Sequence, residues 1–137
     1  MEKFFKNIEK CLQKGSKCDD EGCIVWVGCT DKYGYGTKRQ TWPDGKVTLE
    51  RVHRLAYMVQ YKLLRDQVAH SDDTGSLLDI SHVCHKRTCV RPDHLILESH
   101  ETNCERNHCR ALGHYVATHL PACLFFRGEA NVCAGLL

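Results

Sequence analysis

Between Ser81 and Cys109 the chain reads SHVCHKRTCVRPDHLILESHETNCERNHC. Within it Cys84, Cys89 and His94 stand at C-x4-C-x4-H spacing, short enough for two thiolates and an imidazole to close on one ion. Sulfur and nitrogen donors together suit Zn²⁺, and a structural zinc site takes four of them, so one more ligand must come from elsewhere. The intervening loop, CHKRTCVRPD, is too polar to bury a core of its own, and metal binding would supply the free energy that holds it. A second set follows, Cys109-x4-His114-x4-His119-x3-Cys123, again compatible with a tetrahedral zinc. Just outside the first run stand His82 and Asn103, with chemistry to spare. His82 precedes Cys84 by two residues, so on a strand both side chains face the same way and the loop can set the imidazole without ligating it.

These residues need elements to hold them. Ile80 to Cys84 reads as the first strand of the site and Leu95-Ile96-Leu97 as the second. Ser99 suits a helix N-cap, its hydroxyl accepting the amide of the third helical residue, with Glu101 at the positive end, so a helix should run from His100 to about Arg110. Upstream, Phe4, Ile8, Cys11 and Leu12 recur at helical spacing over residues 3–14, ahead of a break at Gly15-Ser16. Cys23 to Gly28 is apolar and β-branched and reads as a buried strand. Tyr33 to Trp42 alternates large and small residues up to a Pro43-Asp44-Gly45 turn, with Lys46-Val47-Thr48 returning, so a hairpin is expected. From Leu49 the apolar residues recur at three and four, predicting a helix to about Leu64, and residues 66–79 are polar and turn-rich.

A chain of 137 residues is about one domain's worth, and a fold of that size buries only about two-thirds of the surface its unfolded chain exposes, so staples help. Ten cysteines and nine histidines supply them, as disulfides or as metal sites. The charged amino-terminal MEKFFKNIEKCLQKG is not a signal peptide, and no run of about eighteen apolar residues exists to span a membrane. Cysteines interleaved with histidines suit zinc better than a disulfide framework, which has no use for the imidazoles, and point to an intracellular protein, with a nuclear location expected. The net charge of +2 is unevenly spread: residues 1–65 hold thirteen Lys/Arg against eight Asp/Glu, residues 66–137 six against nine. A nucleic acid would lie on the basic half.

The pattern S-H-x-C-H-x3-C-x2-P-x-H-L, a short strand, then E-S-x3-N-x2-R-N-x-C resembles the His-Cys box homing endonucleases, a branch of the ββα-metal (His-Me finger) nucleases. Looser echoes run from Cys23 to Tyr61 and from Cys109 to Cys123. The resemblance implies an α+β class: a small zinc-stabilised ββα-metal fold with an N-terminal antiparallel DNA-binding hairpin. It implies one nuclease domain over residues 1–137: an N-terminal helix, basic hairpin and helix over 1–64, a catalytic core over 80–110, and a second zinc loop over 109–123. Cys23 is its fourth ligand for the first zinc, with Cys18 and Cys29 as alternatives. The family's second cluster fits Cys109 and Cys123, while His114 stands where a cysteine often does, leaving His108 and Cys104 as rivals for the middle positions.

The implied activity is Mg²⁺-dependent hydrolysis of double-stranded DNA. His82 is then the general base, and Asn103, a single weak oxygen ligand for a hard cation, holds Mg²⁺ that arrives largely with the substrate. Arg39 is chosen as the guanidinium at the phosphate, with Lys38 and Arg51 close behind. His85 supports the loop by hydrogen bonding, and His53 in Val52-His53-Arg54 matches a further echo. The hairpin offers Lys32, Lys38, Arg39, Gln40 and Lys46 beside Tyr33, Tyr35 and Trp42, and a two-stranded ribbon fits a major groove. Family members act as homodimers on long, nearly palindromic sites. The rival reading is a non-catalytic zinc-containing module on the same scaffold, like the DNA-binding domain of Smad transcription factors. A remoter one, a zinc protein for protein contacts, sits poorly with the basic, aromatic hairpin.

Overall fold

A computed structural model describes residues 1–112 and Cys123, with side chains described through residue 107 and at Cys123. Helices and short antiparallel sheets alternate along the chain, an α+β arrangement. Helix α1 (Glu2–Lys14) buries Phe5, Ile8 and Leu12 and packs on α2 (Val52–Tyr61). Three two-stranded sheets join β1 (Ser16–Cys18) to β2 (Ile24–Trp26), β3 (Thr37–Thr41) to β4 (Val47–Arg51), and β5 (Leu78–His82) to β6 (Leu95–Ser99). The core gathers Ile8, Leu12, Trp42, Val52, Leu55, Met58, Val68, Ile80 and Leu95 from both helices and the β5–β6 sheet. No helix among the described residues is long and apolar enough to cross a membrane.

The first helix, the hairpin and the final helix form as their patterns predict. Helix α3 (His100–Leu112) opens on the expected cap: the Ser99 hydroxyl accepts the Thr102 amide at 3.1 Å. Gly45 takes φ 87° in the Pro43-Asp44-Gly45 turn, a conformation only glycine adopts without cost. Several boundaries differ from expectation. The hairpin pairs Thr37 with Arg51 through Thr41 with Val47, so Tyr33 to Tyr35 lie in a turn before it, and Leu49 to Arg51, expected in a helix, are strand. Leu49 accordingly lies exposed on the hairpin, and α2 begins only at Val52. Period-three spacing and a strand ladder compete here, and five cross-strand pairs decide it. Strand β2 is only partly buried, since it belongs to a two-stranded sheet whose partner β1 was hidden behind the Gly15-Ser16 break.

Candidate metal centre and catalytic cleft

Two pieces of chain, far apart in sequence, build the metal centre. Strand β2 runs beside the polar loop, with the Trp26 amide donating to the Thr88 carbonyl at 2.8 Å and the Val90 amide to the Ile24 carbonyl at 2.7 Å. That pairing sets Val25 opposite Cys89 and carries Cys23, just before the strand, to the loop. Ion pairs and a hydrogen bond reinforce the junction: Lys86 reaches Asp19 and Glu21, and an Arg91 guanidinium N–H donates to the Gly22 carbonyl at 2.6 Å. Asp19 in turn accepts the Cys23 and Glu21 amides at 2.8 and 3.0 Å. Burial alone would lower Lys86, but its hydrogen bonds to Asp19 and Glu21 hold it above the ordinary lysine range. None of Asp19, Glu21, Lys86 or Arg91 carries a sequence signal; the partners that join them across this junction lie more than sixty positions away.

The result is a buried cluster of Cys23, Cys84, Cys89 and His94, with ligand atoms all within 4.8 Å of one another. The Sγ atoms of Cys23 and Cys89 each lie 3.5 Å from His94 Nδ1, and none of the three thiols is in a disulfide. Hydrogen bonding from Cys23 and Cys84 pulls the Cys89 thiol far down, while Cys84 is driven up by its bonds to Cys23 and Cys89 and by burial. Cys23 also ends above the usual range, because Cys89 and burial outweigh the lowering bond from Cys84. Three sulfurs crowded in a dry site oppose one another's ionisation, and a dication would let all three ionise. This donor set therefore fits a tetrahedral zinc ion. The alternatives weighed for the fourth position, Cys18 and Cys29, are exposed. Of the second ligand set, His114, His119 and the Cys109 side chain lie outside the described residues, as does the His108 side chain; Cys123 is buried, 3.5 Å from an Arg106 guanidinium nitrogen.

Beside the metal centre, His82 and Asn103 line one small cleft of about 20 Å³, together with Tyr35, Ser81, His85 and Arg87. The link between His82 and the loop is not the one expected from strand alternation, because β5 ends at His82 and the chain has left the strand before Cys84. Instead His82 Nε2–H donates to the Cys89 carbonyl at 3.0 Å. That bond puts the lone pair on Nδ1. Burial pushes the imidazole down to about 4, so it is neutral at neutral pH. His53 lies tilted beside it, ring centroids 4.5 Å apart, and is itself lowered chiefly by burial. Asn103 is set by a residue with no motif to announce it: its Nδ2 donates to Asp79 at 3.0 Å, and the same carboxylate oxygen takes His100 Nδ1 at 2.6 Å. With the amide nitrogen turned to Asp79, the carboxamide oxygen points the other way.

One turn beyond Asn103, Arg106 fastens α3 to β6 through a two-pronged pair with Glu98, Nε to Oε2 at 2.6 Å and Nη2 to Oε1 at 2.9 Å. His85, expected to brace the loop, takes a left-handed φ of 62° that turns the chain after Cys84. Arg39 lies on the solvent face of the hairpin, paired with Leu49, and is not among the residues lining the cleft. Arg51 pairs with Asp31 at 3.1 Å, and Lys38 bonds the Arg39 carbonyl and the Gln40 side chain. Gln40 points into the fold, 7% exposed, its amide spent on Lys38 and the Thr41 carbonyl, so it does not reach outward as a base-reading residue would. Trp42 is likewise a core residue, its indole N–H donating to Thr48 at 2.7 Å. Lys32 and Lys46 are exposed.

Residues 17–129 match the family described as the zinc-binding loop region of homing endonuclease. The chain belongs to this family. The matched segment includes all four residues of the cluster, the cleft and the hairpin. No curated protein and no solved structure matches the chain. Membership in the homing-endonuclease zinc-loop family carries a nuclease-like, DNA-binding function, and the Cys3His cluster is where its loop could hold one zinc ion.

Proposed function

We propose that the chain is a Mg²⁺-dependent endonuclease that hydrolyses phosphodiester bonds in double-stranded DNA on a zinc-braced scaffold. The observation that carries this reading is the meeting of His82, from β5, and Asn103, from α3, in one polar cleft beside the metal loop. A module that only bound DNA would have no use for that pair. His82 works as the base through Nδ1, its other nitrogen being committed to the Cys89 carbonyl. An incoming phosphodiester brings negative charge that raises the imidazole from its depressed value toward neutrality, where it accepts a proton from water best. Asn103, its oxygen turned away from Asp79, is the side chain that would hold Mg²⁺, which supplies charge for the phosphate and the leaving oxygen. On the outer face of the hairpin Arg39 stands with Thr41, Val47 and Leu49, a surface suited to the duplex, with Lys32 and Lys46 at its ends.

Two further parts of the reading are finer. A second zinc ion held by Cys109, His114, His119 and Cys123 is favoured by the Arg106 guanidinium beside Cys123, which stabilises a thiolate there. Two copies acting together would let two clefts cut the two strands of one site. The test is nicking of supercoiled plasmid by the purified protein with Mg²⁺ and with EDTA, beside His82→Ala and Asn103→Ala. Mg²⁺-dependent nicking is expected from the wild type, with losses of roughly a hundredfold or more in both variants and duplex binding retained. A wild-type protein that binds duplex DNA and never cuts it would establish the Smad-like binding module instead.

A further inference from the structure

Among the basic residues of the metal loop, Lys86 is paired with Asp19 and Glu21, and Arg91 with Asp93. Arg87, between them in sequence and half-buried, is different: among the described residues no carboxylate lies within ion-pair distance of it. Its side chain is nevertheless held. One guanidinium nitrogen donates to the Tyr33 carbonyl at 2.5 Å, and the guanidinium carbon sits 5.2 Å from the centre of the Tyr35 ring. The turn that presents both tyrosines is itself built, since Asp31 accepts the Tyr33 and Tyr35 amides at 2.9 and 3.0 Å and anchors Arg51. Tyr35 is 6.0 Å from the His82 ring, and Arg87 lines the same cleft as His82 and Asn103.

We propose that Arg87 is the guanidinium that contacts the phosphate in the His82–Asn103 cleft, with Tyr35 as the plate that orients it. The proposal rests on the nuclease reading above and assigns the catalytic cation to the metal loop itself rather than to the hairpin. A carbonyl and an aromatic face position the group without neutralising it, so its charge and its remaining N–H donors are kept for an anion. The neighbouring Arg51, 4.1 Å from the same ring, is already partnered by Asp31 and adds a weaker field. Because Arg87 sits between Cys84 and Cys89, closing the cluster on metal also sets the guanidinium. A dication and a phosphate-binding arginine are thus ordered by one event.

The experiment compares zinc-loaded wild type, Arg87→Gln, Arg87→Lys and the α1 surface control Lys10→Gln, with zinc content and melting temperature measured for each. Supercoiled plasmid reports cleavage with Mg²⁺, and a fluorescein-labelled mixed-sequence duplex reports binding without Mg²⁺ over a range of salt. Arg87→Gln should lose roughly a hundredfold or more in cleavage under saturating protein, as removal of a charge-stabilising donor does. Arg87→Lys should fall between it and wild type, keeping the charge but losing the fork. In the salt titration Arg87→Gln should lower the slope of log K against log salt by about 0.9, the share of one phosphate contact, and Lys10→Gln should not. Wild-type cleavage by Arg87→Gln overturns the proposal. So does a loss of cleavage matched by lost zinc or a lowered melting temperature in both arginine variants, which would make Arg87 a brace. Should the wild type cut no DNA at all, the nuclease reading fails by itself, and the salt slope alone decides Arg87, an unchanged slope overturning it.

Discussion

The pair Arg106–Glu98 fastens α3, the helix that carries Asn103, to β6, and Arg106→Met tests it. Arg106 is 1% exposed and the Glu98 side chain 8%, so both charges are out of water and each satisfies the other through two short bonds. Removing the guanidinium leaves a buried carboxylate with no counter-charge and takes a donor from Cys123. Breaking a buried pair from one side costs about 3–5 kcal/mol. For a chain between the small and middle size classes, a kcal/mol moves the midpoint by about 4 °C, so the melting temperature should fall by roughly 10–20 °C. The matching double variant, Arg106→Met with Glu98→Leu, removes both charges at once and should recover most of that loss, since apolar replacements of buried pairs are often neutral. The assay is urea and thermal unfolding of zinc-loaded protein, completing a double-mutant cycle. A single variant within about 1 kcal/mol of wild type, or a double variant no better than the single, would refute a buried two-pronged pair as the anchor of α3.

Cys89→Ser removes a thiolate from the buried cluster and should give protein with less zinc and a lost or broadened unfolding transition; unchanged zinc by metal analysis would rule the cluster out as the binding site. Asp79→Ala removes the acceptor that turns the Asn103 amide, so the Mg²⁺ concentration for half-maximal cleavage should rise severalfold while Mg²⁺-free duplex binding stays put; an unaltered Mg²⁺ titration would show that Asp79 does not orient Asn103. His53 is held well below its ordinary value chiefly by burial, so the unfolded chain binds a proton in a range where the folded one does not. Stability from this group is fully present above about pH 6.5 and declines as pH falls below it, and His53→Gln should reduce the slope of unfolding free energy against pH there. An equal slope in the variant would remove His53 from the account.

Much of the site could be read along the chain because its parts are local. Cys84, Cys89 and His94 fall within one short loop, and ligand spacing of that kind is a covalent property, independent of how the rest folds. Ser99 caps α3 for the same reason, since the bond to Thr102 spans three residues. The hairpin turn at Pro43-Asp44-Gly45 and the first helix are equally local. The family pattern added Cys23, His82 and Asn103, whose partners the spacing alone does not name.

Other features depend on which backbone edges pair, and pairing is a long-range choice that neither periodicity nor composition encodes. Cys18, Cys23 and Cys29 are chemically the same; only the bridge from Val25 to Cys89 brings one of them to the loop and leaves two exposed. The five-pair register of β3 with β4 turned Leu49 outward, started α2 at Val52 and pointed Gln40 into the fold. Asp79 beside Asn103, Glu98 beneath Arg106, and Arg87 against Tyr35 are contacts between elements that meet only when the sheet of β5 and β6, helix α3 and the Asp31 turn have packed. Charged and polar residues leave no periodic trace, because a solvated face and a catalytic cleft use the same side chains, and what separates them is the neighbour supplied by the fold.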